Sequence, residues 1–248
     1  MDITVKMKFM TLWEKYFNKA ELPIIFYYTN EYKCSSWAKD SSTFNCVIKL
    51  ISGIRGGDVR CFSAESELCP GGRRYLGFAS EIMPDFEYFL SCGIEGKVRG
   101  ERYKKSPEIV REVMKFAPGY KAPARFIVFK RWDSLEEGDD PQVVIFFAQP
   151  DVISGLFTLA NYDCIEPDGV IVPFGSGCST IIQLPFVEKD TAHPRGVIGM
   201  FDVSARPFIG ANEMTFAVPI NKFISMVNNM EESFLITPSW RKIQSRIK

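Results

Sequence analysis

Histidine occurs once in this 248-residue chain, as His193, and no two cysteines are separated by two residues. The second absence removes the short-range ligand spacing of a zinc site. The first leaves a cysteine–histidine or serine–histidine pair only one candidate base, which precedes Pro194 in a stretch that reads as an exposed loop. No nucleophile-elbow pattern is present, and no lysine follows Ser176-Gly177-Cys178-Ser179-Thr180 at the spacing of a nucleoside-triphosphate loop. Gly53-Ile54-Arg55-Gly56-Gly57 follows an apparent helix instead of opening one, so it fails as a dinucleotide fingerprint.

Long apolar runs are missing too: nothing approaches the roughly 20 residues that a membrane helix needs. Met1 to Met10 alternates charged and apolar residues and lacks the core of a secretory leader. Thirty basic residues cancel thirty acidic ones, leaving only short clusters such as Arg102 to Lys105 and Arg241 to Lys248, the latter a solvated helix face. These absences speak against nucleic-acid and membrane partners and lead us to expect a soluble, cytoplasmic protein. Cysteines at 34, 46, 61, 69, 92, 164 and 178 are odd in number and scattered, so reduced thiols are expected.

Apolar residues make up 46% of the chain and aromatic residues 14%, enough for a large core. Phe9, Met10, Leu12, Trp13, Tyr16 and Phe17 recur at helical spacing, and Ile24 to Tyr28 reads as a buried strand. Phe44, Val47, Ile48 and Ile51 mark a helix, and Val59 to Ser63 a strand. Between Gly71 and Ala117, helices are expected over Arg73 to Ala79, Asp85 to Cys92 and Pro107 to Phe116, the last capped by Ser106. Arg125 to Lys130 and Val143 to Ala148 read as a hairpin-like pair across a long polar connection, Glu136 to Pro141. A helix through Ile153, Leu156, Phe157 and Ala160 follows, then strands at Val170 to Phe174, Val197 to Val203 and Met214 to Val218, and helices starting at Pro219 and Pro238.

This pattern predicts an α+β fold, a mixed sheet with flanking helices in a single globular domain over residues 1–248. Its halves, about 20–131 and 142–232, share the order strand, helix, strand, cysteine turn, which suggests an internal duplication pairing Cys69 with Cys178.

Those two cysteines sit in glycine-bracketed turns at apparent helix starts. Backbone N–H groups are unpaired at such starts, and the helix dipole favours an anion or a thiolate. Around the first, Gly71 and Gly72 allow close approach to the backbone while Arg73 and Arg74 add charge; around the second, Ser176, Gly177 and Ser179 add hydroxyls and space. The sequence therefore offers Cys69, Gly71, Gly72, Arg73, Arg74, Ser176, Gly177, Cys178 and Ser179 as ligand-binding residues for a small anionic molecule or cofactor, with thiol chemistry open. A metal or iron–sulfur site would have to be assembled across the fold from Cys46, Cys69 and Cys178, with carboxylates such as Glu65 and Glu67. A third reading is a structural or regulatory module whose cysteines are inert. Catalysis, cofactor identity and oligomeric state are not readable from these residues.

The stretch Glu67-Leu68-Cys69-Pro70-Gly71-Gly72-Arg73-Arg74-Tyr75-Leu76-Gly77-Phe78 resembles the cysteine-glycine-glycine and leucine-glycine signature of the DUF169, or ArCR, family. Phe146 to Asp151, Ser176-Gly177-Cys178 and Asn212 to Pro219 resemble its later blocks, in order, so that the likeness runs from about Phe44 to Pro219. The resemblance implies that the family also tends to carry cysteine at positions 69 and 178, with Cys46 a third such position. It implies no activity, because the family has none assigned.

Overall fold

The computed structural model describes residues 3–31, 46–117 and 119–247. Phe44 and Cys34, named above, lie outside them. The first elements are α1 (Ile3–Phe17), β1 (Ile24–Thr29), α2 (Val47–Ser52), β2 (Arg60–Ser63), α3 (Pro70–Tyr75), α4 (Phe86–Phe89), α5 (Pro107–Lys115) and β3 (Phe126–Arg131). The rest are β4 (Val143–Ala148), α6 (Pro150–Ala160), β5 (Val170–Ile171), a π-helical turn (Ser179–Gln183), α7 (Leu184–Glu188), β6 (Gly196–Gly199), β7 (Met214–Pro219), α8 (Ile220–Asn229) and α9 (Pro238–Gln244).

Among the described residues seven strands form one mixed sheet in the order β2-β3-β1-β4-β7-β6-β5, in which only the β5–β6 pair is parallel. The protein is thus α+β, as the pattern predicted. Both faces of the sheet are covered, which explains why the central strands read as continuous apolar runs instead of alternating. On β1, Ile25 and Tyr27 join a core with Phe9, Trp13 and Phe17 of α1 and Leu156 of α6, while Ile24, Phe26 and Tyr28 join a second core with Val47, Ile48 and Ile51 of α2 and Ile181 and Ile182 of the π-helical turn.

The expected hairpin of β3 and β4 does not form. Strand β1 lies between them and pairs antiparallel with both, Phe26 opposite Phe129 on one side and Val143 on the other. A strand this apolar on both faces is satisfied only in the middle of the sheet, and the 132–142 connection is long enough to step over it. That polar connection is anchored inward: Asp139 is 2% exposed and accepts from Lys130 Nζ at 2.8 Å, Tyr27 Oη at 2.6 Å and the Glu136 N–H at 2.8 Å. Burial pushes the Asp139 carboxyl up, but Lys130, Tyr27 and the backbone donor outweigh it and hold the carboxyl below its ordinary range.

Other boundaries move for local reasons. Helix α3 begins at Pro70, earlier than expected, because Cys69 caps it and proline suits the first helical position. It ends where Gly77 turns left-handed (φ 77°), with Gly77 N–H donating to Arg74 O and Phe78 N–H to Arg73 O, a two-bond C-terminal cap. The strand expected over 170–174 keeps only Val170–Ile171. The strand expected over 197–203 stops at Gly199, because Met200 takes a left-handed φ of 69° and sends the chain off the sheet towards Asp202. The helical segment between, 179–188, passes through a π-turn over Ser179–Gln183, where Pro185 has no N–H to return to the Ile181 carbonyl.

The strand order is symmetric about the β1–β4 pair: β3 corresponds to β7 and β2 to β6, with β5 added at one edge. By position, then, the counterpart of β2 is β6 and not the 170–174 strand. The helices preceding β2 and β6 are α2 and the 179–188 segment, and Cys46 and Cys178 stand just before them.

Candidate functional site

Three cysteines from three separate segments converge beneath the second core. Cys46 precedes α2, Cys69 precedes α3 and Cys178 precedes the π-helical turn. The Cys69 sulfur accepts from the Gly72 N–H at 3.3 Å, closing the N-terminus of α3, and also from the N–H of Val47, the first residue of α2. Two helix starts therefore point at one sulfur. The Cys46 thiol lies beside the same atom, and the two sulfurs titrate as a pair, Cys69 lowered and Cys46 raised by the other.

The three thiols shift in different directions, Cys69 down and Cys46 and Cys178 up. The Cys46 donor, opposed by burial and helped by the Val47, Gly72 and Cys69 N–H groups, brings Cys69 down to about 6. Cys46 is driven well above the thiol range, because its proton is held by Cys69 and the group is half-buried. Cys178 is raised too, first by complete burial and then by the charges of Cys69 and Asp202.

Gly72 makes this approach feasible. A methyl added there would overlap Val47 Cγ2 and lie 3.1 Å from the Cys69 sulfur. Gly72→Ala should therefore push α3 off α2, at a cost of roughly 1–3 kcal/mol in chemical denaturation, and should return Cys69 towards the ordinary thiol range. An alanine variant with unchanged stability and unchanged Cys69 ionisation would contradict this packing.

The second turn is built from Ser176, Gly177 and Ser179. Ser176 Oγ accepts from the Ser179 N–H at 3.2 Å, and Gly177 N–H donates to Asp202 Oδ2 at 3.0 Å. Gly177 also packs against Met200 and Ala205, where a side chain would meet Ala205 Cβ at 2.9 Å. Ser179 donates to Gln183 at 3.1 Å and Thr180 to the Gly177 carbonyl at 3.0 Å, both inside the helical segment. Gly177, Cys178 and Ser179 are all buried. Tyr75 of α3 hydrogen-bonds Ser176 and joins the two turns; burial raises its phenol despite that bond.

The structure thus brings Cys69, Gly72, Ser176 and Cys178 of the sequence-derived set into one neighbourhood. Gly71 is exposed, with only the Tyr75 ring near its missing side chain. The two arginines are directed elsewhere: Arg73 donates to the Ala64 carbonyl at 3.0 Å and Arg74 to the Ser80 carbonyl at 2.5 Å. The charge expected from them is not what lowers Cys69; Cys46 and backbone N–H groups do that.

Tyr75 and Asp202 were missed as site residues. Tyr75 lies inside the Cys69 motif, a detectable signal; Asp202 arrives only through the left-handed turn at Met200, which nothing in the sequence announces. Further support comes from Tyr28, whose hydroxyl donates to the Leu76 carbonyl at 2.9 Å and anchors the end of α3 to the sheet, beside Tyr120 and Phe186.

His193 is exposed, as expected, and forms no part of this cluster. Arg55, from the rejected glycine motif, clamps Glu21 and Glu213 instead of a ligand. Cys61, expected to be reduced, is disulfide-bonded. Among the described residues no group of three or more His, Cys, Asp or Glu side chains could hold a metal ion, and no helix is long and apolar enough to cross a membrane.

Fold and site together describe an α+β protein in which Cys46, Cys69 and Cys178, each at the start of a helical segment, lie close together. The chain belongs to the DUF169 family: the family model, described as uncharacterised ArCR, matches residues 16–229. No curated protein matches the chain, and no solved structure does.

Proposed function

We propose that Cys69 is a nucleophilic thiolate that reacts with a small electrophilic substrate or cofactor, with Cys46 as its proton-holding partner. The observation that supports this most is the convergence of the Cys46 thiol and the N–H groups of Val47 and Gly72 on one half-exposed sulfur. Attack joins the Cys69 sulfur to the electrophilic atom and expels a leaving group with the electron pair, and the nearest thiol proton is that of Cys46. Binding of a small anionic ligand at this turn, the expectation from sequence, is less favoured: its N–H groups are spent on sulfur, the sulfur is itself an anion, and both arginines are engaged with carbonyls. The inert-cysteine reading fits Cys178, which is sealed in the core.

This proposal is tested by limiting alkylation with iodoacetamide at pH 6.5 in reductant, followed by peptide mass spectrometry. Cys69 should label ahead of Cys92, although Cys92 is the more exposed. Labelling of Cys92 first, with Cys69 untouched, would rule the nucleophile out.

We retain the cytoplasm as the proposed compartment because Cys46 and Cys69 need reducing conditions to stay thiols; the Cys61 disulfide weighs against it. We also propose that the halves are copies of one unit within a single domain, a reading supported by the symmetric strand order.

A further inference from the structure

We propose that the cleft between Ser91-Cys92 and Arg102 to Lys105 binds a small phosphate-bearing anion, at a site distinct from the cysteine cluster. The cleft has a volume of about 220 Å³ and is lined by Ser91, Cys92, Arg102, Tyr103, Lys104 and Lys105. Three cations and no carboxylate form its walls. Among the described residues none of the three is in an ion pair, although neighbouring cations are: Lys97 pairs with Asp85 and Arg111 with Glu87. Lys104 is held instead by an aromatic face, its Nζ 3.9 Å from the centre of the Phe174 ring.

The walls are fixed by backbone. Arg102 N–H donates to Ser91 O at 3.0 Å, Lys104 N–H to Leu90 O at 2.9 Å and Glu101 N–H to Phe89 O at 2.7 Å, so the two lining segments are stapled together. Behind them Gly93 and Gly100 meet back to back, where a methyl on Gly100 would overlap the backbone of Ser91, Cys92 and Gly93. Arg102 itself has φ 57°, a left-handed conformation that glycine adopts freely and arginine only at a cost. The chain thus carries arginine at the rim of a cationic cleft where glycine would relieve the backbone. The guanidinium of Arg102, the ammonium groups of Lys104 and Lys105 and the phenol of Tyr103 give the lining residues the donors and positive charge that phosphate oxygens accept from.

Isothermal titration calorimetry of the full chain with inorganic pyrophosphate at low salt tests this, alongside a single-stranded RNA oligonucleotide. One-to-one pyrophosphate binding that weakens with added salt is expected. Arg102→Gly should weaken it at least tenfold while leaving the thermal midpoint unchanged or raised, since the substitution relieves the backbone. Lys105→Ala should weaken binding in the same direction, and Lys115→Ala on the exposed face of α5 should leave it unaltered. Absence of binding at millimolar pyrophosphate, affinity indifferent to Arg102→Gly, or binding of the oligonucleotide alone would each overturn the proposal.

Discussion

Replacing Cys46 with alanine should raise the apparent pKa of Cys69 by more than a unit and slow its alkylation at pH 6.5 at least threefold. The Cys46 thiol is the largest influence holding Cys69 at about 6, and burial, the second, acts the other way. Without that donor only the backbone N–H groups oppose burial. A thiol of pKa about 6 is roughly three-quarters ionised at pH 6.5, whereas one at the ordinary value of about 8.5 is about one-hundredth ionised. The effect has a sign and a window: the lowered pKa matters between about 6 and 8.5, so the variant and the native protein should react alike above pH 9 and diverge below pH 8. Cys46→Ser, which keeps a donor, should recover much of the lost rate. Equal rates for the native protein and Cys46→Ala across pH 6–9 would remove Cys46 from the account.

Asp139→Ala should destabilise the protein by about 3 kcal/mol or more in denaturant titration. Lys130 Nζ is buried beside Asp139 at 2.8 Å, and its other carboxylate neighbour, Glu136, stands 3.5 Å away with 80% of its side chain exposed. Removing Asp139 leaves the buried Lys130 ammonium with only the longer contact to the exposed Glu136, and an uncompensated buried charge costs about 3–5 kcal/mol. The double variant Asp139→Leu with Lys130→Met removes both charges, and it should be less destabilised than Asp139→Ala alone. A single variant within about 0.5 kcal/mol of native would mean that Glu136 swings in to replace the lost carboxylate.

The legible parts of this fold are those where a local pattern and the tertiary environment agree. Ile24 to Tyr28 and Val143 to Ala148 could hardly be other than buried strands, and Ser106-Pro107 announced α5 through ordinary capping chemistry. Cys69 was found because proline and glycine mark a helix start in sequence. What strand lies beside what is not written locally: the hairpin reading joined β3 to β4 because they are neighbours in the chain, whereas the apolar character of β1 claims the space between them. Asp139 looked like a loop residue because its partners are Lys130 and Tyr27 of two strands. Arg73 and Arg74 looked like site charges because sequence gives proximity along the chain but not the direction of a long side chain. Cys46 entered as a candidate metal ligand; its place beside Cys69 depends on α2 and α3 starting close together in space.

One titration bears on all of this. Thiolate absorbance near 240 nm, followed from pH 4.5 to 10 in the reduced native protein and subtracted from that of Cys69→Ser, isolates the ionisation of a single sulfur. A midpoint close to 6 is the result that two helix starts and a neighbouring thiol at Cys69 require. A midpoint at or above 8.5, with native folding intact, would mean that these groups do not hold the charge and that the site is not a thiolate centre.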